Sequence, residues 1–181
     1  MTQDVVGSGK KTLYLLRHAK SSWAEPERRD FDRPLNARGR AAATEMGHYL
    51  AAHAMTPALI LCSTSQRTRE TLALILPALA ADVVIRIETA LYGATGDEIL
   101  ERLSRLGSEI SSVMIIGHNP GLEDLARHLA AGGPKDDVAR LAAKYPTTAL
   151  AIIRTAARTW DALAVERGQL ERFVVPSSAK L

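Results

Sequence analysis

Short apolar runs alternate with longer helical patterns along most of the chain, and this alternation restricts the fold more than any other feature. The runs predicted as strands are Thr12–Leu16, Leu59–Cys62, Val83–Ile87, Val113–Ile116, Ala149–Arg154 and Phe173–Val175. The first five have the apolar character expected where both faces of a sheet are covered. Helical spacing of alanine and leucine covers Ala37–Ala54, Thr64–Ala81, Gly96–Leu106 and Pro120–Ala130. The sequence therefore predicts a three-layer α/β/α fold with a mostly parallel central sheet.

The length of 181 residues fits one domain, since domains typically hold roughly 100–200 residues. We expect a flexible tail over residues 1–10 and a single domain over 11–181. The only cysteine, Cys62, excludes an internal disulfide or a cysteine-built zinc site. The first residues contain no apolar run of signal-peptide length, and no long apolar stretch follows. A cytoplasmic location and no membrane partner are therefore expected.

The charge balance argues against nucleic acid as the main partner. The formal net charge is +3 and only 4% of the residues are aromatic, so neither a strong basic field nor a base-stacking platform is evident. The window from Arg17 to Arg40 nevertheless holds seven basic and four acidic residues. This local excess indicates a surface that faces an anion.

Several short signals predict where helices begin and where loops lie. Asn36 precedes the first helix, Ser63 with Gln66 has the pattern of a capping box, and Asn119 before Pro120 suggests an Asx cap with proline at the first helical position. The stretch 132–145 is predicted as a loop with a short helix, and 160–163 as one helical turn.

Charged and polar side chains follow four of the predicted strands at their carboxyl ends, where open α/β sheets bind ligands. The residues at these positions are Arg17 and His18, Ser63 leading to Arg67, Glu88, and Gly117 followed by His118. Each alone would be an ordinary loop residue or a solvated charge. A core needs none of them, because unpaired Arg and Glu are almost never fully buried. Their coincidence at one edge of the sheet therefore predicts a functional site.

Arg67 is in an unfavourable position for a cation. With Ser63 as the N-cap, Arg67 lies in the first helical turn, where the helix dipole favours anions. Such violations of a local rule are expected at functional sites. Arg67, the free N–H groups of that turn and Arg17 could together bind a tetrahedral oxyanion.

Four ordered motifs resemble those of the histidine phosphatase (phosphoglycerate-mutase-like) superfamily. The segments RHAKSSW, DRPLNARGR, LILCSTSQRTRET and IIGHNPGLE are similar in particular to the small SixA-like phosphohistidine phosphatases. The resemblance spans Thr12 to Leu129, about two thirds of the chain. It implies a phosphoglycerate-mutase-like fold, with Ser63 and Asn119 as further substrate-binding candidates.

The resemblance also implies phosphoryl transfer through a covalent histidine. His18 would be the nucleophile, and Arg17, Arg67 and a protonated His118 would hold the phosphoryl oxygens. Cationic neighbours would lower the pKa of His18 and keep its imidazole neutral. Two arginines and a protonated histidine could do what Mg²⁺ does elsewhere, so no metal or other cofactor is expected.

The proton donor is where the sequence departs from the family. Asn119 follows His118 where acid-phosphatase-like members carry an aspartate, and Ala19 stands where many members have glycine. Glu88 resembles the acid of the mutase-like members imperfectly, and an ion pair with Arg86 or with a site arginine is an equally good interpretation. Imidazole leaves from phosphorus without the help that an alkoxide needs, so a missing acid favours cleavage of an N–P bond.

The preferred interpretation of the sequence is therefore that the protein is a phosphohistidine phosphatase. Its partner would be a phosphohistidine-bearing protein, such as a phosphotransfer domain, and its product inorganic phosphate. Two alternatives stay open: a phosphomonoesterase or mutase acting on small metabolites, and a phosphate-binding adaptor without activity. Among the other residues, Trp23 and Trp160 are predicted as packing anchors, Cys62 as a buried apolar residue, and the remaining histidines as surface or core residues. The sequence leaves open whether Lys20, Arg33 and Arg38 line the rim of the predicted site or are solvated charges.

Overall fold

A computed structural model of the chain describes residues 10–79 and 82–179, which form one six-stranded sheet between two layers of helices. The strands are β1 (Lys11–Arg17), β2 (Leu59–Ser63), β3 (Val84–Glu88), β4 (Ser112–Gly117), β5 (Leu150–Thr155) and β6 (Gln169–Val174). Their order in the sheet is β3-β2-β4-β1-β5-β6. Neighbours from β3 to β1 pair in parallel, whereas β5 runs antiparallel to both β1 and β6. The mostly parallel sheet predicted from the sequence is confirmed.

The helices are α1 (Ala37–Ala52), α2 (Gln66–Ile75), α3 (Gly96–Ser104), α4 (Gly121–Leu129) and α5 (Lys135–Ala143). Alternate strand residues enter two separate cores, because successive side chains of a strand point to opposite faces. Leu13 and Leu15 of β1 join the core that includes residues of α3, α4 and α5. Tyr14 and Leu16 join the core that includes residues of α1 and α2. The three-layer α/β/α arrangement is therefore confirmed.

The edge strand β3 differs from the prediction of a run covered on both faces. Val84 and Ile87 are 58% and 51% exposed. The reason is the position of β3 at the end of the sheet, where among the described residues it pairs only with β2. An apolar run does not by itself distinguish a central strand from an edge strand.

The second predicted helix, Thr64–Ala81, is shorter in the structure. It begins at Gln66 and ends at Ile75, and a 3-10 turn follows over Leu76–Ala78. Pro77 lies in that turn and has no N–H for a helical hydrogen bond. The predicted end at Ala81 lies outside the described residues, as does the predicted tail apart from Lys10.

The remaining elements agree with the sequence within a few residues. The loop with a short helix predicted over 132–145 contains α5, and the turn predicted over 160–163 is a 3-10 helix at Asp161–Ala164. Strand β6 begins at Gln169, earlier than the predicted Phe173, because its polar residues alternate with buried ones. Within the described residues, no helix is both long and apolar enough to span a membrane.

Candidate active site

Five of the predicted site residues line one cavity at the carboxyl edge of the parallel strands. The cavity has a volume of about 470 Å³, and these residues are Arg17, His18, Arg67, His118 and Asn119. Strands β1, β2 and β4 run in parallel, so the residues that follow them meet at the same edge. The other two candidates, Ser63 and Glu88, do not line it.

His18 follows β1 directly, and its imidazole is held in one tautomer. Its Nδ1 lies 2.8 Å from the carbonyl oxygen of Ala19. A carbonyl only accepts hydrogen bonds, so Nδ1 carries the proton and Nε2 keeps its lone pair. The ring is only 8% exposed. Burial, and then the nearby His118, Arg67 and Arg17, lower the pKa of His18 to about 3, against the opposing hydrogen bond to Ala19. His18 is therefore neutral at physiological pH.

His118 follows β4, and its ring centroid lies 5.1 Å from that of His18. Arg67 Nη2 donates to His118 Nδ1 at 3.3 Å, and His118 Nε2 lies 2.9 Å from Ser63 Oγ. An arginine can only donate, so Nδ1 is unprotonated and Nε2–H donates to Ser63. Burial, and then Arg67, lower the pKa of His118 to about 4. A buried ring beside an arginine is costly to charge, so His118 is neutral in the ligand-free protein, and its protonation beside a bound phosphoryl group stays a prediction.

The two site arginines are fixed by oxygen atoms of the protein. Arg17 Nη1 donates to the carbonyl of Tyr145 at 2.7 Å, while its Nε is buried and has no hydrogen-bond partner among the described residues. Arg67 lies in the first turn of α2, as predicted. Its Nη1 donates to the Asp30 carbonyl at 2.5 Å and its Nη2 to Asp30 Oδ2 at 2.9 Å. Both guanidinium groups are thus held beside His18 before any anion binds.

Ser63 supports His118 and does not cap α2. It is the last residue of β2, and the N-cap of α2 is Ser65. The predicted capping box is wrong because the strand continues through Ser63. Its hydroxyl is fully buried and accepts the hydrogen bond from His118, so Ser63 contacts His118 and not the cavity.

Asn119 lines the cavity but does not act as the predicted Asx cap. Helix α4 begins at Gly121 with Pro120 as its N-cap. The Asn119 amide instead donates to Glu123 Oε2 at 2.7 Å and to the Tyr145 carbonyl at 3.1 Å. The other predicted asparagine cap is confirmed, since Asn36 accepts a hydrogen bond from the backbone N–H of Gly39.

Glu88 is held away from the cavity by an arginine that the sequence did not suggest. Arg102 of α3 donates to both of its carboxylate oxygens, Nε at 2.7 Å and Nη2 at 2.6 Å. The predicted pairing with Arg86 or with a site arginine is therefore wrong. Both carboxylate oxygens of Glu88 are occupied by Arg102 and the side chain does not line the cavity, so Glu88 is not placed to donate a proton there.

Asp30 and Tyr92 also line the cavity, and sequence reasoning missed both. Asp30 Oδ2 accepts hydrogen bonds from Arg67 and from the Tyr92 hydroxyl, the latter at 2.8 Å. Partial burial opposes ionisation, yet the hydrogen bonds from Tyr92 and Arg67 keep the pKa of Asp30 below its usual value. The only signal in the sequence was that Asp30 lies in the charged window from Arg17 to Arg40.

The three basic residues left open by the sequence separate into two groups. Lys20 and Arg33 line the cavity. Arg38 does not, because it donates to the carbonyls of Ser178 and Ala179 near the carboxyl end of the chain. With Arg17 and Arg67, four cations line the cavity, against one carboxylate in the described part of the chain. Residues 10–79 and 82–179 contain no group of three or more His, Cys, Asp or Glu side chains that could hold a metal ion.

Comparison with known proteins identifies relatives along most of the chain. Residues 13–92 match the family model of the histidine phosphatase superfamily (branch 1). An uncharacterized protein of Mycobacterium leprae is 32% identical over 165 residues, which cover 89% of this chain and 99% of that protein. The chain is also similar to the crystal structure of SixA from Agrobacterium tumefaciens, which is named as a phosphohistidine phosphatase. The two sequences are 32% identical, the TM-score is 0.77, and the match covers 92% of this chain and 98% of the SixA chain. SixA from Nakamurella multipartitia gives 29% identity and a TM-score of 0.80, with 93% and 98% covered.

Proposed function

The chain belongs to the histidine phosphatase superfamily, and from this premise we propose that it is a phosphohistidine phosphatase that works through a covalent phospho-His18 intermediate. The observation that carries the proposal is the state of His18. Its ring is neutral, its Nδ1–H is fixed on the Ala19 carbonyl, and it stands among the cations of the cavity. Nε2 is then the nucleophilic atom.

In the first step, His18 Nε2 attacks phosphorus in line with the N–P bond of the substrate phosphohistidine. A new N–P bond forms on His18, the old one breaks, and its electron pair leaves on the substrate imidazole, which departs as a neutral ring because its other nitrogen already carries a proton. Because the His18 Nδ1 proton stays on its carbonyl partner, the phosphorylated ring carries a positive charge. Arg17 and Arg67 balance the charge of the phosphoryl oxygens, which is the main protein contribution to phosphoryl transfer.

In the second step, water adds its oxygen to phosphorus and the N–P bond to His18 breaks. His18 leaves as a neutral imidazole that still holds its Nδ1 proton, so this step needs no acid on His18. One water proton stays with the phosphate product and the other passes to solvent. A bound phosphoryl dianion also supplies the negative charge that would favour protonation of His118.

The absence of a free acid supports an N–P substrate over an O–P one. Among the described residues Asp30 is the only carboxylate that lines the cavity, and its hydrogen bonds favour the ionised form. Glu88 is paired with Arg102. An alkoxide leaving group needs a proton from an acid of the enzyme, whereas imidazole leaves as a neutral ring when its other nitrogen already carries a proton, which a pKa of about 6.5 allows near neutral pH. We propose that the arginines supply the charge stabilisation and that the reaction is independent of metal.

The test is a comparison of kcat/KM for a phosphohistidine protein with a series of phosphate monoesters of rising leaving-group pKa, after exhaustive EDTA treatment. We expect the phosphohistidine protein to be the best substrate and the esters to become slower as the leaving-group pKa rises. Arg67→Ala should lower kcat by about 10²–10³-fold, as loss of an oxyanion-stabilising group does. Efficient hydrolysis of alkyl phosphates without phosphohistidine turnover would establish the small-molecule phosphatase instead. Loss of activity in EDTA would contradict metal independence.

A further inference from the structure

Trp23 lies at the mouth of the cavity and is 72% exposed, contrary to the packing role predicted from the sequence. One face of its ring is covered by Arg33, whose Cζ lies 3.0 Å from the ring centroid. Arg33 itself is only 4% exposed, and its Nε and Nη2 donate to the Ser22 carbonyl at 2.9 and 2.7 Å. The guanidinium group of Arg33 therefore packs against one face of the indole, and the other face is accessible to solvent.

Tyr92, a second aromatic side chain at the cavity, is connected to Arg33 through Asp30. Asp30 Oδ1 lies 3.6 Å from Arg33 Nη1, and its Oδ2 accepts the hydrogen bond of the Tyr92 hydroxyl. The Tyr92 ring packs edge-on against Phe31, with centroids 5.0 Å apart. We call Trp23, Arg33, Asp30 and Tyr92 the aromatic rim. These four side chains form one contact network beside the residues that would bind the phosphoryl group.

The aromatic rim contains residue types that are common in protein-binding surfaces, and its side chains contact one another. Trp, Tyr and Arg are enriched among the residues that contribute most to protein–protein binding. Side chains that are already held in place lose less conformational entropy when a partner binds. A single exposed apolar side chain would not call for an explanation, but Trp23 is tied to the cavity through Arg33 and Asp30.

The openness of Trp23 favours a macromolecular occupant over a small molecule. Small-molecule sites bury most of their ligand's surface, about 70–90% of it. A ring that stays largely exposed at the cavity mouth encloses little of such a ligand. A folded protein that inserts a phosphorylated side chain into the cavity would bring its surrounding surface onto this ring. The exposed Lys20 at the same mouth complements an acidic group on that surface.

We propose that the aromatic rim is the docking surface for the phosphohistidine-bearing protein, with Trp23 packing against an apolar side chain next to the phosphohistidine. This inference rests on the proposed function and adds the source of selectivity for a protein over a free phosphoramidate. The phosphoryl group would bind between Arg17 and Arg67, while Trp23 would contact only the protein that carries it.

The kinetic test compares a phosphohistidine-bearing phosphotransfer domain with free phosphohistidine as substrates. Trp23→Ala should lower kcat/KM for the domain at least tenfold more than for the free amino acid, mainly through KM. Trp23→Tyr keeps an aromatic face and should lose less. The control is Val165→Ala, because Val165 is also exposed, at 83%. It follows β5, which runs antiparallel to β1 and therefore ends at the edge of the sheet opposite to the cavity.

A binding measurement tests the contact directly and does not depend on turnover. The protein has two tryptophans, and Trp160 is fully buried, so Trp23 is the one that acrylamide can quench readily. In His18→Ala, a tryptophan-free phosphotransfer domain carrying phosphohistidine should shift the emission of Trp23 to the blue and protect it from acrylamide. Free phosphohistidine should produce neither change.

The outcomes separate this inference from the proposed function. Equal losses on both substrates in Trp23→Ala, or unchanged quenching when the domain binds, would overturn the docking surface while phosphohistidine hydrolysis still stood. A wild-type protein that does not hydrolyse the phosphorylated domain would overturn both. Protection of Trp23 by small aromatic phosphates and not by the domain would assign the ring to a small-molecule site and reject the proposal.

Discussion

Asp30 fixes the position of Arg67 and is a positioning residue in this account. Its carbonyl and its carboxylate each accept a hydrogen bond from the Arg67 guanidinium. In Asp30→Asn the carbonyl contact remains but the charged hydrogen bond is lost. Charged hydrogen bonds contribute about 1.5–3 kcal/mol, so kcat for free phosphohistidine should fall by roughly tenfold or more.

The measurement is kcat and the inhibition constant of inorganic phosphate for Asp30→Asn, together with Tm. The control is Asp32→Asn, because Asp32 lies in the same 3-10 helix and its ion pair with Arg29 is long, at 4.0 Å. Phosphate should inhibit Asp30→Asn more weakly, with Tm close to that of the control. Equal kinetics in the two variants would show that Arg67 does not depend on the carboxylate.

Individual residues differed in how far the sequence could identify them. Arg67 was recognisable because a cation in the first turn of a helix violates a local electrostatic preference. Asp30 was not, since its contact with Arg67 joins residues 37 positions apart and follows no local rule. The same holds for Glu88, whose contact with Arg102 of α3 joins residues 14 positions apart and follows no local rule.

The start of α1 is packed tightly against the segment that follows His18. A Cβ atom on Gly39 would lie 2.1 Å from the backbone carbonyl oxygen of Lys20. In Gly39→Ala either α1 or Lys20 must move, and overpacking of this kind costs about 1–3 kcal/mol of unfolding free energy. Because Lys20 is two residues from His18, we also expect kcat to fall.

Urea denaturation and turnover assays of Gly39→Ala check this prediction. Gly47→Ala is the matched control on the same helix, where the nearest atom to an added Cβ is Ile75 Cα at 3.3 Å. The Gly47 variant should lose less stability and little activity. A Gly39 variant as stable and active as the Gly47 variant would mean that the contact between α1 and Lys20 is unimportant.

At the level of elements, strands were predicted within one residue where the apolar run has clear ends, as in β2 and β4. The errors lie where local sequence is ambiguous. The run Val83–Ile87 gives no information on whether a neighbour covers it, and Ser63 and Ser65 are equally good N-caps until the end of β2 is known. The periodicity of apolar residues also does not predict the order of the strands in the sheet, because that order depends on packing across the whole sheet.

The folded protein as a whole should lose stability as the pH falls from 6.5 towards 5. The pKa of a histidine side chain is ordinarily about 6.5, whereas burial and the nearby arginines lower the pKa values of His18 and His118 to about 3 and about 4 in the folded protein. In this window the unfolded chain therefore binds more protons than the folded protein, so stability rises with pH. The effect is at most about 1.4 kcal/mol per pH unit for each histidine.

Urea denaturation between pH 5 and 6.5 measures this dependence, with His53→Gln as an exposed control. The slope of unfolding free energy against pH should decrease in His18→Gln and again in the double variant His18→Gln/His118→Gln. An unchanged slope in the double variant would show that these two histidines are not buried in their neutral forms.

In the proposed mechanism His18 Nε2 carries the phosphoryl group during turnover, and rapid quenching tests this step most directly. The protein is mixed with a ³²P-labelled phosphohistidine protein, quenched in base within milliseconds, and digested to locate the label. We expect an acid-labile, base-stable phosphoryl group on His18, absent in His18→Ala and present in His128→Ala, and we expect NMR of the phosphorylated protein to show the bond at Nε2. Label on another residue, label on His18 Nδ1, or full turnover by His18→Ala would contradict this mechanism.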